Sequence, residues 1–486
     1  MDSILESQRT KTTKKTCNYG DWQELKEWFA EAAEQYERDE TAAAIALLRA
    51  VIRECHRILT FYPDPSVLFA PRPSPRRTAN GTPPDTNTPV QELFPRDWSA
   101  FSQTTTLRPS PIELPTAFHA ILGITLFLFG NLVGQDSSLV LSGEPDVPTT
   151  YWLAALDVFE TGENLPCRTS GNTFDVEDWR MAIVWGRTLI CLAEEKITLM
   201  ARAGPDSTSF SARIPVAEPR WPRDSIFHDI AARRPPVTRR MSLATATPND
   251  LMVLAMDQFS RGIFHMPHPE YAHSHSHIFA RNAPSLPLLP QTLNPASPDS
   301  LGFSRPKELF TIASEVIGVA ERLRDPDERK YWAIWADSVF NQMKMEADTG
   351  EWRSRIISAR GRCWLVAGSV RVDDLEDALE RGDDNVYTCK EAVEAREDVA
   401  VSFFERAKGS ASGYSMPELQ ELQPLFTEAL LSLANLTADE SEREELYSRA
   451  QAEGGDTVVL NMDRQGEITS LRDNTSSEQI VYMDES

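Results

Sequence analysis

Proline decides where this chain can be helical. Of its 33 prolines, 12 lie between Pro63 and Pro115 and 15 between Pro205 and Pro306. Proline lacks the backbone donor and clashes inside a helix, so neither window can be mainly helix. Both windows are also rich in Ser, Thr and Arg. Most of 63–112, and the parts 203–247 and 265–304, read as mobile loops. They are longer than connections within a compact domain usually are. Between the last two, Asn249 to Phe264 reads as an embedded helix.

Elsewhere the apolar period is helical. Ile45, Leu48, Ile52, Cys55 and Leu59 follow one another at three or four residues, which is one face of a helix. The segment 21–38 opens with Asp21 as N-cap and Glu24 three residues on, a capping-box pattern. Further helices are predicted at about 116–133, 149–162, 175–202, 306–323, 327–347, 351–370, 386–408, 416–436 and 439–452. In the tail, TVVLNMD and EITSLRD flank Arg464-Gln465-Gly466 as a weak hairpin.

The helices come in consecutive pairs, which raises the question of a repeat. Tetratricopeptide pairs touch through Ala, then an aromatic four residues on, then a small residue three further. Ala400, Phe404 and Ala407 fit this spacing. So, more loosely, do Ala313, Ile317 and Ala320, and Ala155, Phe159 and Gly162. Leu433-Ala434 followed by Tyr447 and Ala450 make a fourth copy. The predicted fold is all-α, a degenerate tetratricopeptide-like helical repeat array with long Pro-rich loops. Its parts are a flexible N-terminus (1–20) and an N-terminal array (21–202, with loop 63–112). Pro/Arg/His-rich loops (203–304) with the helix 249–264 follow, then a C-terminal array (305–452) and a flexible tail (453–486).

Charge and motifs limit the function. The formal net charge is −24. Phosphate backbones repel such a chain, so direct DNA binding is not expected, and a basic partner is. Residues 371–456 carry 22 acidic and 8 basic side chains, giving −14. No two cysteines lie closer than 24 residues, which excludes C-x-x-C zinc or redox sites and fits reduced thiols. The opening MDSILESQRTKTTKK has no apolar core and so no secretory signal. The apolar run Ala117 to Gly134 sits at the short limit for a membrane span and contains His119, Thr125 and Asn131. It reads as a buried helix, with no membrane partner.

No phosphate-cradling loop, H-E-x-x-H or G-x-S-x-G occurs. No catalytic residue, cofactor or metal is expected, and the chain reads as a non-enzyme. His265, His268, His273, His275 and His277 read as a solvated loop. Arg233-Arg234 and Arg239-Arg240 offer an import receptor two basic pairs, and Ser242 follows as a basophilic-kinase site. Lys11, Lys14 and Lys15 form a weaker import signal. Arg355 and Arg362 stand seven residues apart on one helix face and suit a carboxylate on a partner. An enzyme assembled from distant residues, a helical-repeat scaffold with another partner and a fungal Zn-cluster scaffold are the alternatives; the last lacks its cysteines.

Five stretches resemble one fungal family. They are AVIRECHRIL (50–59), LPTAFHAILGITLFLFGNL (114–132), YWLAALDVFETGEN (151–164), RKYWAIWADSVFNQM (329–343) and LLSLANLTADESEREELYSRAQA (430–452). Their order and motifs are similar to those of the enhancers of translation termination. E-C-x-R-I-L followed by L-P-x-x-F-H-A is the most specific combination. The chain departs from the family in its short KTTKK opening and in the loops 203–304, which replace a long acidic tract. The resemblance implies a nuclear tetratricopeptide-like adaptor. It further implies a prolyl-hydroxylase-like 2-oxoglutarate dioxygenase as partner, and effects on translation termination and hypoxic transcription.

Overall fold

The helical pattern appears in a computed structural model that describes residues 16–69, 113–165, 178–202, 245–267, 304–344, 352–381, 386–409, 416–437 and 439–454. The predicted tail hairpin and most of both proline windows lie outside these residues. The described residues form twelve α-helices in adjacent pairs and no strand. In chain order they are α1 Tyr19–Glu37, α2 Thr41–Phe61, α3 Ala117–Gln135, α4 Pro148–Glu163, α5 Trp179–Arg202 and α6 Pro248–His265. Then come α7 Arg305–Ala320, α8 Pro326–Met343, α9 Arg353–Arg381, α10 Val386–Gly409, α11 Met416–Leu436 and α12 Glu440–Gly454. Two compact units divide the chain, and the divisions fall within α5 after Glu195 and within α6 after Met252.

The first unit is built round α3. Its apolar window is 89% buried inside the protein. Side chains reach it on every side, which is why its sequence lacks a polar stripe. Gly123 lets α4 approach: a Cβ there would lie 2.2 Å from the Phe159 ring. Phe159 is fully buried and stacks beside Trp185 of α5. Gly123→Ala is expected to cost ~2–3 kcal/mol through overpacking, read from the denaturant midpoint. In the same unit Gly186 of α5 lies under Phe259 of α6. His119 is buried against Gly162, with Nδ1 unpartnered; burial pushes its pKa down to about 4, so it is a neutral core residue.

One cap differs from the expectation. Asn18, not Asp21, caps α1. The Asn18 side chain accepts from the Gly20 and Asp21 N–H groups, and Asp21 accepts from the Asn18 N–H at 2.8 Å. Asp21 is thus the third helical residue of the box. Arg57 of α2 pairs with Asp21 and Glu54, which fixes the start of α1 to α2.

The second unit stacks α7 to α12 in sequence order, together with the end of α5 and the start of α6. Asp325 caps α8 and accepts from the Glu328 N–H at 3.0 Å, with Pro326 in the first turn. Trp332 of α8 is buried and its indole N–H donates to Asn249 at 2.8 Å. Ala400, Phe404 and Ala407 are all fully buried, and Phe404 lies over Gly361 of α9. Phe426, Ala434, Leu446 and Ala450 continue that core. The Ala313 copy lies on the first helix of its pair; the Ala155 and Ala400 copies lie on second helices. It is therefore half a repeat out of phase. Helix α9 runs eleven residues beyond its predicted end, because Leu375 packs with Val393 and Leu436.

Candidate partner-binding surface

In the second unit α7 touches α9 and α9 touches α11, so the first helices of three pairs lie side by side. Arg362 stands on α9. Its Nε and Nη2 donate to the two oxygens of Glu321, at the C-cap of α7, both at 2.5 Å. Both side chains are about one-third exposed, so the fork is worth at most ~1 kcal/mol. A partner carboxylate would have to compete with Glu321 for Arg362. Arg355 is exposed, and its guanidinium lies 5.4 Å from the centroid of the Trp352 ring. The two arginines therefore share a helix but have different neighbours.

Sequence reasoning missed two more important groups. Arg360 holds α8, α9 and α10 together. Its guanidinium donates to both Asp337 oxygens, at 2.6 and 3.0 Å, and to Asn341 at 3.0 Å. It also lies 4.8 Å from the centroid of the Phe403 ring. No local pattern announces this, since Asp337 is on another helix.

Glu397 of α10 is the second. It is 0% exposed, and neither carboxyl oxygen has a hydrogen-bond partner. It packs on α9 where Gly368 leaves room; a Cβ there would meet Glu397 Oε1 at 2.5 Å. Burial first, and Glu428 of α11 second, push its pKa up to about 8. A signal existed in the sequence. Glu397 falls within the stripe Val393, Ala400, Phe404, Ala407, at spacings of four, three, four and three. The run Glu394 to Asp398 looks like a solvated face only when the helical period is ignored.

Exposed carboxylates stand on α10 and α12 of the same unit. Asp398 and Glu405 on α10 are exposed, as are Glu440, Glu442, Glu444 and Glu445 on α12. Of the histidine run, His265 ends α6, exposed, with its ring nearly perpendicular to that of Phe264; the other four lie outside the described residues. So do Ser242, Arg233 to Arg240, and Lys11, Lys14 and Lys15. Among the described residues no group of three or more His, Cys, Asp or Glu could hold a metal ion.

No protein-family profile matches the chain. No curated protein matches it significantly. Among solved structures it is similar to the S. pombe nuclear import adaptor Nro1, at 13% identity and a TM-score of 0.42. That alignment covers 90% of this chain and 94% of the other. A second Nro1 structure, described as the hypoxic regulator of sterol synthesis and a nuclear import adaptor, gives 13% identity and a TM-score of 0.44. It covers 93% and 92% of the two chains.

Proposed function

We propose that this chain is a non-enzymatic nuclear adaptor whose acidic C-terminal array, 306–452, binds a basic surface of a protein partner. One observation carries the reading: packed helix pairs present exposed carboxylates on α10 and α12, within a segment of charge −14. Stacked pairs offer an extended surface, and binding there needs no catalytic residue. The family resemblance supplies the partner's identity, a prolyl-hydroxylase-like 2-oxoglutarate dioxygenase. It also supplies the consequence, an effect on translation termination and hypoxic gene expression. Arg355 adds a contact from the exposed face of α9, and Arg362 adds one when a partner competes for Glu321. An import receptor reads Arg233 to Arg240, or Lys11 to Lys15, with Ser242 as a phosphorylation site beside the former.

The test is affinity purification of the full chain from its source cells. The expected result is recovery of the dioxygenase, with binding reduced about tenfold between 50 and 300 mM salt, because exposed charges are screened over ~10 Å or less. Changing Glu440, Glu442, Glu444 and Glu445 together to Lys should abolish recovery. Undiminished recovery from that variant would place the partner elsewhere. Imaging a tagged copy with Arg233, Arg234, Arg239 and Arg240 changed to Ala, together with Lys11, Lys14 and Lys15, tests the import route. Loss of nuclear signal is expected.

A further inference from the structure

Ser441 stands in the middle of the acidic stretch that opens α12. Residues 439–445 read DESEREE, so Ser441 has carboxylates at −2, −1, +1, +3 and +4. Arg443 is the one cation among these seven residues, and it lies 3.8 Å from Glu440. Such a pattern attracts a protein kinase whose substrate cleft is basic, and it repels one that selects arginine before the serine. Ser441 is exposed, as are Asp439, Glu440, Glu442, Glu444 and Glu445.

Its place in the helix matters as much as its neighbours. Inside a helix a serine or threonine hydroxyl turns back to a carbonyl one turn earlier. Ser402 of α10 donates in this way to Val399, Thr427 to Gln423, Thr437 to Leu433 and Ser448 of α12 to Glu444, at 2.8–3.1 Å. Ser441 is the second residue of α12, so no helical carbonyl lies one turn before it. Asp439 caps this turn: its Oδ1 accepts from the Glu442 N–H and its carbonyl from the Arg443 N–H, both at 2.9 Å. The first buried side chain of α12 is Leu446. Residues 439–443 therefore straighten into a kinase cleft without drawing a side chain out of the core. Ser402 also has a glutamate at +3, Glu405, but it sits in mid-helix between buried Val401 and Phe403 and lacks this freedom.

We propose that Ser441 is a phosphorylation site for an acid-directed protein kinase, and that the phosphate strengthens the hold of α12 on a basic partner. Ser441 Oγ bonds to the γ-phosphorus of a nucleoside triphosphate. The bond from that phosphorus to the bridging β-phosphate oxygen breaks, and the nucleoside diphosphate leaves with the electron pair. The hydroxyl proton passes to the base of the kinase. The product adds about 1.5 to 2 negative charges at pH 7. In the first turn these charges meet the N-terminal N–H groups and the positive end of the helix dipole, so the helix is kept and not melted. The effect on a partner rests on the preceding reading of α12 as a binding surface; the modification itself does not.

The full chain is incubated with casein kinase 2 and magnesium ATP, and each site is followed by peptide mass mapping. Ser441 is expected to become phosphorylated while Ser402 does not. Glu444→Gln with Glu445→Gln should slow the reaction at Ser441 about tenfold. Ser441 still unmodified after other sites have reacted, or modified at an undiminished rate in that double variant, overturns the site. The second arm is calorimetric binding of an acetylated, amidated hexapeptide of alternating lysine and arginine, at 50 and 300 mM salt, before and after phosphorylation. Binding about fivefold tighter is expected at 50 mM salt after phosphorylation, with a smaller gain at 300 mM. Ser441→Ala, at an exposed position and treated in the same way, should lack this gain. An equal gain in Ser441→Ala overturns the effect on the partner and leaves the site. A peptide that binds neither form overturns the basic-partner reading, and phosphorylation of Ser441 then stands without it.

Discussion

Trp22→Ala is expected to destabilise the first unit by about 3–5 kcal/mol, the range for truncating a large buried aromatic. Trp22 is 0% exposed and stacks on Phe69, with ring centroids 4.5 Å apart. Its indole N–H donates to Glu113, which also receives Lys26, each at 2.5 Å. Phe69 and Glu113 are the described residues that flank 70–112, so this one side chain holds both ends of that segment. Truncation leaves a cavity and leaves Glu113, itself buried, with one donor fewer. Trp22→Phe keeps much of the stacking and should cost only about 1–2 kcal/mol. Replacing 71–111 by a short Gly/Ser linker should cost less than ~1 kcal/mol, because closure entropy depends weakly on loop length. Denaturant midpoints measure all three. If the linker variant lost as much as Trp22→Ala, the segment would contribute contacts of its own.

The second large effect is a stability that falls as pH rises. Glu397 titrates near 8 in the folded chain against an ordinary carboxyl value of 4.5. Between those values the folded state keeps a proton that the unfolded chain has released. Stability from this group is therefore fully present below about pH 4.5 and is lost as pH rises through 8. Over the whole window the loss is on the order of a few kcal/mol, at 1.36 kcal/mol per pKa unit. Glu428, also raised, acts in the same direction. Glu397→Gln has no proton to lose. The wild type is expected to drop roughly 5–10 °C more in Tm between pH 6 and pH 9 than Glu397→Gln does. Parallel Tm curves for the two proteins would show that Glu397 is ionised in the folded state.

The helices were legible because two strong local signals agree. The 3.6-residue apolar period marks the described helices, and Asp325 followed by Pro326 marks the start of one of them. The small-residue stripes were legible for a similar reason. Ala400 and Ala407 are buried on either side of Phe404, which lies over Gly361 of α9. Details with competing local solutions were less legible. Asn18 and Asp21 each have an acid three positions on and can each cap a helix; in the fold Asn18 is the cap and exchanges hydrogen bonds with Asp21. The end of α9 had no local sign, since residues 371–381 are largely polar. Leu375 is held there by Val393 and Leu436, 18 and 61 positions away.

The candidate site was legible only in its sign. The excess of Asp and Glu in 371–456 is a sum over the chain and needs no coordinates. Charge pairing is different, because a charge's energy depends on its distance to groups on other helices and on how much water remains around it. Arg355 and Arg362 are equivalent as sequence, seven residues apart; packing set one over Trp352 and gave the other to Glu321. Glu397 and Asp398 are adjacent acids; the turn of α10 buries the first on Gly368 and leaves the second in solvent. The sequence alone determined that the chain is acidic and that its described segments are helical. The tertiary structure decided which of those acids lost their water, because desolvation is a property of the surroundings and not of the residue.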